Sequence, residues 1–184
     1  MSTAQLATEQ PRPIRRDEYE RMVAVGLFEG DRVELLYGVI VRMSPKGPRH
    51  ESAIEHLTEL LVRGLAGRAS VRIQSSFAAS DGSEPEPDVA IVPRGDYSDR
   101  HPDVAHLVIE VADSSLPTDR GTKARLYAEC GVQEYWVVNV RDGLVEVFTD
   151  VVRGAYTRVV PHGRGDSLRP LSFSDIVISV ADVL

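Results

Sequence analysis

Three almost uninterrupted apolar runs constrain the fold of this chain more than any other feature of its sequence. They are PDVAIV at residues 87–92, VAHLVIEVA at 104–112 and EYWVVNV at 134–140. Each run has the length of a β-strand, and apolar residues fill both sets of alternating positions. Strands of this kind are covered on both faces, as in sheets that have helices packed against them. The chain is therefore predicted to fold as a layered domain around a largely buried sheet.

Two predicted helices separate the strands and set their order. The first covers residues 50–67 and ends at Gly67, and the second runs from about Asp119 to Gly131. A further strand is predicted at residues 69–77. The apolar positions of the first helix are Ile54, Leu57, Leu61 and Leu65. The order helix, three strands, helix, strand predicts an α/β (α+β) domain with a mixed central sheet rather than a β-sandwich.

Shorter elements flank this core. Residues 15–25 predict an amphipathic helix, and Tyr37-Gly38 is a two-residue connection of the kind that closes a β-hairpin. Residues 144–184 predict a β-meander, LVEVFTD and AYTRVVP, followed by a short terminal element. Residues 1–13 are predicted to be a disordered arm, which leaves residues 14–184 as a single domain.

Composition narrows the class of protein. The 184 residues, 42% of them hydrophobic, can bury one core without disulfides, and the single cysteine, Cys130, cannot pair within the chain. No apolar run is long enough for a transmembrane helix, and the first residues lack the basic start and apolar centre of a signal peptide. With a single cysteine, a reducing, cytoplasmic location is expected. The formal net charge of −7 argues against a protein that coats nucleic acid. It still allows an enzyme that meets DNA through a small basic patch.

The first candidate functional residue is Asp88, which enters an otherwise apolar strand directly behind Pro87. Because proline is tolerated at the first residues of a strand, the strand begins here and Asp88 lies at its end. A turn aspartate is the simpler interpretation of this residue taken alone.

The second candidate is Glu110, in the middle of LVIEVAD. Val108, Glu110 and Ala112 share one face of that strand, while Leu107, Ile109 and Val111 share the other. If both faces are covered, an ionised glutamate is unfavourable unless it is paired or binds a metal ion. A salt-bridged glutamate at a strand edge is the alternative.

The third candidate is Lys123, which shares one face of the second helix with Leu126, Tyr127 and Cys130. A lysine on an otherwise apolar face requires a carboxylate or phosphate partner, or else extends to solvent at the rim. Two carboxylates from neighbouring strands suit Mg²⁺, which binds few carboxylates and keeps its waters for a phosphate substrate. With a nearby ammonium group, this combination is typical of phosphodiester hydrolysis.

The same segments resemble a known family. Pro87-Asp88 followed by Glu110 resembles the PD-(D/E)xK motif of restriction-endonuclease-like proteins, whose core has the element order predicted above. More closely, ELLYGVIVRMSP, SEPEPDVAIV, VIEVADSS and K…LYAECGVQEYWVV resemble the Uma-two family of restriction-type endonucleases. The resemblance covers nearly the whole chain after the arm.

The chain departs from the parent motif at one position. The motif has a lysine two residues after the glutamate, where this chain has Ala112, so Lys123 would have to supply the ammonium group from the following helix. The resemblance also implies Glu34 as a further acidic group and Gln74 as a water or phosphate contact. An exposed hairpin glutamate and a satisfied polar strand residue are the competing interpretations of these two.

The most basic stretch of the chain precedes the first long helix and contains Arg42, Lys46, Arg49 and His50. As phosphate contacts these residues would position DNA without reading its sequence. A solvated loop ahead of a helix explains them equally well. The five histidines show no HExxH or similar spacing, which excludes a typical zinc site.

The leading hypothesis is a Mg²⁺-dependent DNA endonuclease, with Mn²⁺ as an alternative metal and a homodimer as the expected assembly. Asp88, Glu110 and the backbone carbonyl of Val111 would hold the metal, and Lys123 would orient the attacking water. A catalytically inactive binding or assembly module is the main rival, and an RNA or small-phosphodiester hydrolase is a third. If the site is active, Nζ of Lys123 should approach both carboxylates instead of pointing into solvent.

Overall fold

The computed structural model describes residues 10–184 and contains a six-stranded mixed sheet. Its strands, in the spatial order 3-4-5-6-7-8, are β3 (Ser70–Ile73), β4 (Val89–Val92), β5 (Leu107–Ala112), β6 (Tyr135–Asn139), β7 (Leu144–Val152) and β8 (Ala155–Gly163). Only the central pair, β5 and β6, is parallel, and every other neighbouring pair is antiparallel. The predicted fold class is confirmed.

The three apolar runs form the buried centre of the sheet. Every residue of β4, β5 and β6 is buried. One face of these strands, including Ile109 and Trp136, packs in a hydrophobic cluster with the first long helix. The other face, including Val108 and Tyr135, packs in a second cluster with the helix that contains Tyr127. Coverage on both faces explains why the strands lack an alternating polar pattern.

The first long helix, α2 (Pro48–Leu65), buries the four apolar positions that its periodicity predicted. It ends with Ala66 and Gly67 in the left-handed region, as a glycine-terminated helix does. The parallel pair β5–β6 requires a crossover connection, and this is a helical stretch of three parts. It consists of α3 (Leu116–Thr118), a π-helical turn (Asp119–Lys123) and α4 (Ala124–Glu129). This stretch begins three residues earlier than the sequence indicated.

The N-terminal elements also follow the prediction. The helix α1 (Arg16–Ala24) precedes a hairpin of β1 (Val33–Leu36) and β2 (Val39–Arg42). Tyr37 and Gly38 both have positive φ, 51° and 78°, which is the geometry of a type I′ hairpin turn. A Cβ at Gly38 would lie 2.4 Å from Cβ of Pro13, so glycine is required there for close packing as well.

The C-terminal part is more elaborate than a meander with one short element. After β7 and β8, the chain forms β9 (Ser167–Leu168), a 3-10 turn (Leu171–Phe173), β10 (Ile178–Ser179) and α5 (Val180–Val183). Several of these residues complete the cluster around α2, namely Leu168, Ile176, Ile178, Val180 and Val183.

The predicted arm falls partly outside the description, since residues 1–9 lie beyond the described part of the chain. Residues 10–13 are exposed and have no regular secondary structure, although Arg12 forms an ion pair with Glu18 at 2.9 Å. Between residues 10 and 184, no helix has both the length and the apolar character needed to cross a bilayer.

Candidate active site

A cavity of about 360 Å³ opens beside the ends of β4 and β5. The β1–β2 hairpin, the loop before α2 and the π-helical turn form its other walls. Its acidic and basic lining residues are Glu34, Arg42, Lys46, His50, Asp88, Glu110, Asp113, Asp119 and Lys123. All three residues that the sequence singled out therefore face one cavity.

Asp88 directly precedes β4, one residue beyond the pair Val89–Ile109, so it lies opposite Glu110 on the neighbouring strand. Its Oδ2 accepts a hydrogen bond from the backbone N–H of Val111 at 2.9 Å and lies 3.0 Å from Nε2 of His50. Burial alone would raise the pKa of Asp88, but the contacts with His50 and Val111 and the nearby Lys46 hold it below its ordinary value. Asp88 is therefore ionised at neutral pH.

Glu110 lies on β5 and is only 3% exposed. Its Oε1 accepts hydrogen bonds from Nζ of Lys123 at 3.0 Å and from the hydroxyl of Tyr127 at 2.7 Å. Burial raises the pKa of Glu110 well above its ordinary value, and the positive charge of Lys123 opposes that shift. The carboxylate is thus paired, as a buried glutamate must be.

Lys123 enters the cavity from the last residue of the π-helical turn. Its Nζ also lies 3.2 Å from Oε2 of Glu34, which gives it two carboxylate partners. Burial would lower the pKa of Lys123, but Glu110, Glu34 and Asp119 together raise it, so this ammonium group stays charged. It does not point into solvent. One of its two carboxylate partners is Glu34 rather than the expected Asp88, whose nearby cation is Lys46.

Asp119 and Lys123 are the first and last residues of the π-helical turn, and both line the cavity. The N–H of Ala124 donates to the carbonyl of Asp119, five residues earlier, instead of the four that an α-helix would span. Asp119 is buried, and burial raises its pKa, although a hydrogen bond from Ser115 at 2.5 Å partly opposes this. The sequence marked Asp119 only as a helix start, because nothing in TDRGTK signals a π turn.

Glu34 and Gln74, the two residues implied by the resemblance, both reach the site. Glu34 is 5% exposed, so the competing interpretation of an exposed hairpin glutamate is wrong. Its Oε2 accepts a hydrogen bond from the N–H of Glu86 at 3.1 Å, because the hairpin packs against that segment. Gln74 lies just after β3 with a positive φ of 47°, and its Nε2 donates to Oδ1 of Asp88 at 3.3 Å.

Of the four residues in the basic stretch, Arg42, Lys46 and His50 line the cavity and Arg49 does not. Nζ of Lys46 lies 3.6 Å from Oδ1 of Asp88 and is buried without a hydrogen bond to any described residue. Burial lowers the pKa of Lys46, and Asp88 partly opposes that effect. Arg42 lies at the exposed rim, 3.5 Å from Asp31. Arg49 does not line this cavity, since it projects from the other side of α2.

The donor groups suit a divalent cation of the magnesium type. Four buried carboxylates and two lysines face the cavity, so the formal charge of these six groups is −2 when all are ionised. Across residues 10–184, no cluster of three or more His, Cys, Asp or Glu side chains is arranged to hold a metal. Mg²⁺ binds through one or two carboxylates and retains water, so Asp88 and Glu110 are the residues that could hold it.

Comparisons with known proteins identify the family of this chain and a solved structure of similar fold. Residues 16–181 match the model of the Uma2 family, whose description is "Putative restriction endonuclease". A solved structure titled as a putative nuclease belonging to DUF820 from Anabaena variabilis superposes with a TM-score of 0.74. That match is 16% identical and covers 93% of this chain and 97% of the other, so it shows the shared fold. A search of curated proteins found no match. The chain belongs to the Uma2 family of restriction-endonuclease type.

Proposed function

We propose that this protein is a Mg²⁺-dependent DNA endonuclease. The observation that carries the proposal is the pairing of Asp88 and Glu110 across neighbouring strands at one cavity, with two lysines beside them. Membership of the Uma2 family supports a nuclease-like function. Mn²⁺ is the alternative metal, and a homodimer is the proposed assembly, because cutting both strands of a duplex requires two sites.

In this proposal Asp88, Glu110 and the carbonyl of Val111 would hold the metal. A bound Mg²⁺ would supply positive charge to the phosphoryl oxygens. His50 and Gln74 hold the carboxylate of Asp88 in place, and Tyr127 does the same for Glu110. These contacts fix both carboxylates before substrate arrives, as an efficient site requires.

Lys123 orients the water that attacks phosphorus in line with the leaving oxygen. The water oxygen forms the new P–O bond and one ester P–O bond breaks. The attacking water gives up a proton to solvent, and the leaving oxygen takes a proton from solvent. The pairing of Lys123 with Glu110 and Glu34 keeps the ammonium group in place and charged. Lys46 contacts the scissile phosphate from the Asp88 side, and Arg42 contacts the strand at the rim of the cavity.

A catalytically inactive binding or assembly module is the second candidate, and Ala112 at the motif position favours it. One feature of the cavity favours a phosphate ligand. Nζ of Lys46 is buried and forms an ion pair with Asp88 at 3.6 Å, but it has no hydrogen bond to the described chain, so its N–H groups lack an acceptor unless a ligand supplies one. A phosphate group would supply the missing acceptor, so Lys46 supports a cavity that receives the phosphate backbone of DNA.

The direct test is cleavage of duplex DNA, single-stranded DNA and RNA by the purified protein. We expect cleavage of DNA with Mg²⁺ or Mn²⁺, complete loss of cleavage in EDTA, and recovery when Mg²⁺ is restored. Isothermal titration calorimetry should show metal binding. Preferred cleavage of RNA would support the hydrolase alternative, and absence of both cleavage and metal binding would support the inactive module.

Substitutions of Lys46 test whether this residue contacts the phosphate of the substrate or serves only the fold. We expect Lys46→Met to reduce DNA cleavage by about 10- to 100-fold, since it removes one phosphate contact. The melting temperature should fall modestly, because the substitution also removes the ion pair between Lys46 and Asp88 at 3.6 Å, while His50 and Val111 still contact that carboxylate. Lys46→Arg, which keeps the charge, should restore part of the activity. A destabilised but fully active Lys46→Met protein would show that Lys46 serves the fold alone.

A further inference from the structure

A second cavity of about 600 Å³ lies on the other side of the first turn of α2. Three arginines line it, Arg49, Arg141 and Arg164, together with His56. Among its lining residues the only acidic side chain is Asp142, which accepts a hydrogen bond from Asn139 at 2.8 Å. We call this cavity, defined by the three arginines and His56, the basic cleft. Such a concentration of arginine is notable in a chain with a net charge of −7.

The basic cleft adjoins the candidate active site. Nε of Arg141 donates to Oδ1 of Asp113 at 2.8 Å, and Asp113 lines the active-site cavity. The loop before α2 lies against the same carboxylate, since a Cβ at Gly47 would be 3.6 Å from Oδ2 of Asp113. Lys46 is in the active-site cavity and Pro48 is in the basic cleft, two residues apart in sequence. The two cavities therefore adjoin at the loop before α2 and at the ion pair of Asp113 with Arg141.

The arginines of the basic cleft are available to an anion. Arg49 is exposed and forms no ion pair with any residue from 10 to 184. It lies in the first turn of α2, where the helix dipole disfavours a positive charge, so helix stability does not explain its position. Arg141 and Arg164 are each held by one contact, with Asp113 and with the carbonyl of Leu184, and both stay exposed. Their remaining N–H groups can donate to a ligand.

We propose that the basic cleft binds the DNA backbone adjacent to the scissile phosphate. This inference rests on the proposed function, and it adds a path for the strand: from Lys46, across Pro48, to Arg49, Arg141 and Arg164. Guanidinium groups suit phosphate because they can donate two parallel hydrogen bonds. A strand that passes through the basic cleft would bring successive phosphates past the three guanidinium groups. Such contacts position DNA and do not select its sequence.

The test compares two triple variants with equal loss of charge. The cleft variant carries Arg49→Gln, Arg141→Gln and Arg164→Gln. The control carries Arg63→Gln, Arg94→Gln and Arg153→Gln, three exposed arginines that lie outside the basic cleft and the active-site cavity. Binding of a fluorescent DNA duplex is measured by anisotropy in EDTA, where metal-dependent cleavage cannot occur, over a range of salt concentrations.

We expect the cleft variant to bind at least 10-fold more weakly at low salt, with the slope of log K against log salt reduced by about 2 to 3. The control variant should bind within about twofold of the parent protein. Equal weakening of DNA binding in both variants would mean that only the net charge of the protein matters. Unchanged DNA binding by the cleft variant would mean that the basic cleft does not contact DNA. Either result overturns the proposal.

A small substrate separates this inference from the proposed function. Bis(p-nitrophenyl) phosphate has one phosphodiester and is too short to extend into the basic cleft, so the cleft variant should hydrolyse it at the parent rate. Loss of that activity in a folded cleft variant would mean that the arginines act on the active site itself, against the inference. If the parent protein hydrolyses no phosphodiester, the proposed function fails, and the anisotropy contrast still decides the role of the basic cleft.

Discussion

Asp88→Asn is expected to reduce Mg²⁺-dependent DNA cleavage by at least about 10³-fold, because it removes one of the two carboxylates proposed to hold the metal. Asparagine keeps the size of the side chain and can still accept the hydrogen bond that Val111 donates. The fold should therefore persist, with an unchanged circular dichroism spectrum. Single-turnover assays measure the loss of cleavage, and calorimetric titration with Mg²⁺ measures the accompanying loss of metal binding.

Asp81→Asn is the matched control, since the side chain of Asp81 is 87% exposed and does not line the active-site cavity. It removes the same charge and should retain the parent rate. A folded Asp88→Asn protein that cleaves at the parent rate would contradict the assignment of Asp88 as a metal ligand.

Lys123→Met should produce the largest loss of stability among single substitutions at this site. It leaves Glu110 and Glu34 buried without their shared cation, and breaking a buried ion pair typically costs about 3–5 kcal/mol of unfolding free energy. Cleavage should also be lost in whatever fraction stays folded. Lys123→Arg, which retains the charge, should lose less stability, although its larger guanidinium group must fit the same space.

The stability loss of Lys123→Met should depend on pH. Burial already raises the pKa of Glu110, and removal of the ammonium group raises it further. A carboxyl group with a raised pKa in the folded state stabilises the fold below its unfolded pKa, near 4.5, and this contribution disappears as pH rises through the folded pKa. The variant should therefore be closer to the parent at pH 5 than at pH 8. Urea unfolding of both proteins at each pH tests this, and an equal loss at both values would contradict it.

The central fold could be predicted because a strand that is buried on both faces has apolar residues at nearly every position. Continuous apolar runs identified β4, β5 and β6, and helical spacing identified α2. Asp88 and Glu110 could also be identified from the sequence, because a carboxylate in an otherwise apolar strand needs a charged partner or a metal ion. Their antiparallel register then brings both residues to the same end of the sheet.

The rest of the candidate site depends on tertiary packing that local pattern does not record. Glu34 is in a short hairpin, a typical exposed position, and only packing against the segment of Glu86 buries it. Lys46 is in a loop with no periodicity, so neither its burial nor its distance from Asp88 could be inferred. Arg49 is only three residues after Lys46 in sequence, but it projects from α2 into the basic cleft.

The π-helical turn has a consequence for how relatives of this protein are compared. A π turn holds one residue more per hydrogen-bonded loop than an α-helix, so it acts as a single-residue insertion within an otherwise α-helical stretch. The ammonium group of this site thus depends on segment length as well as on residue type. A relative that lacks the extra residue would need its lysine at a different alignment column to reach the same carboxylates. Aligning lysines by their spacing from the strand glutamate would then classify an intact site as a defective one.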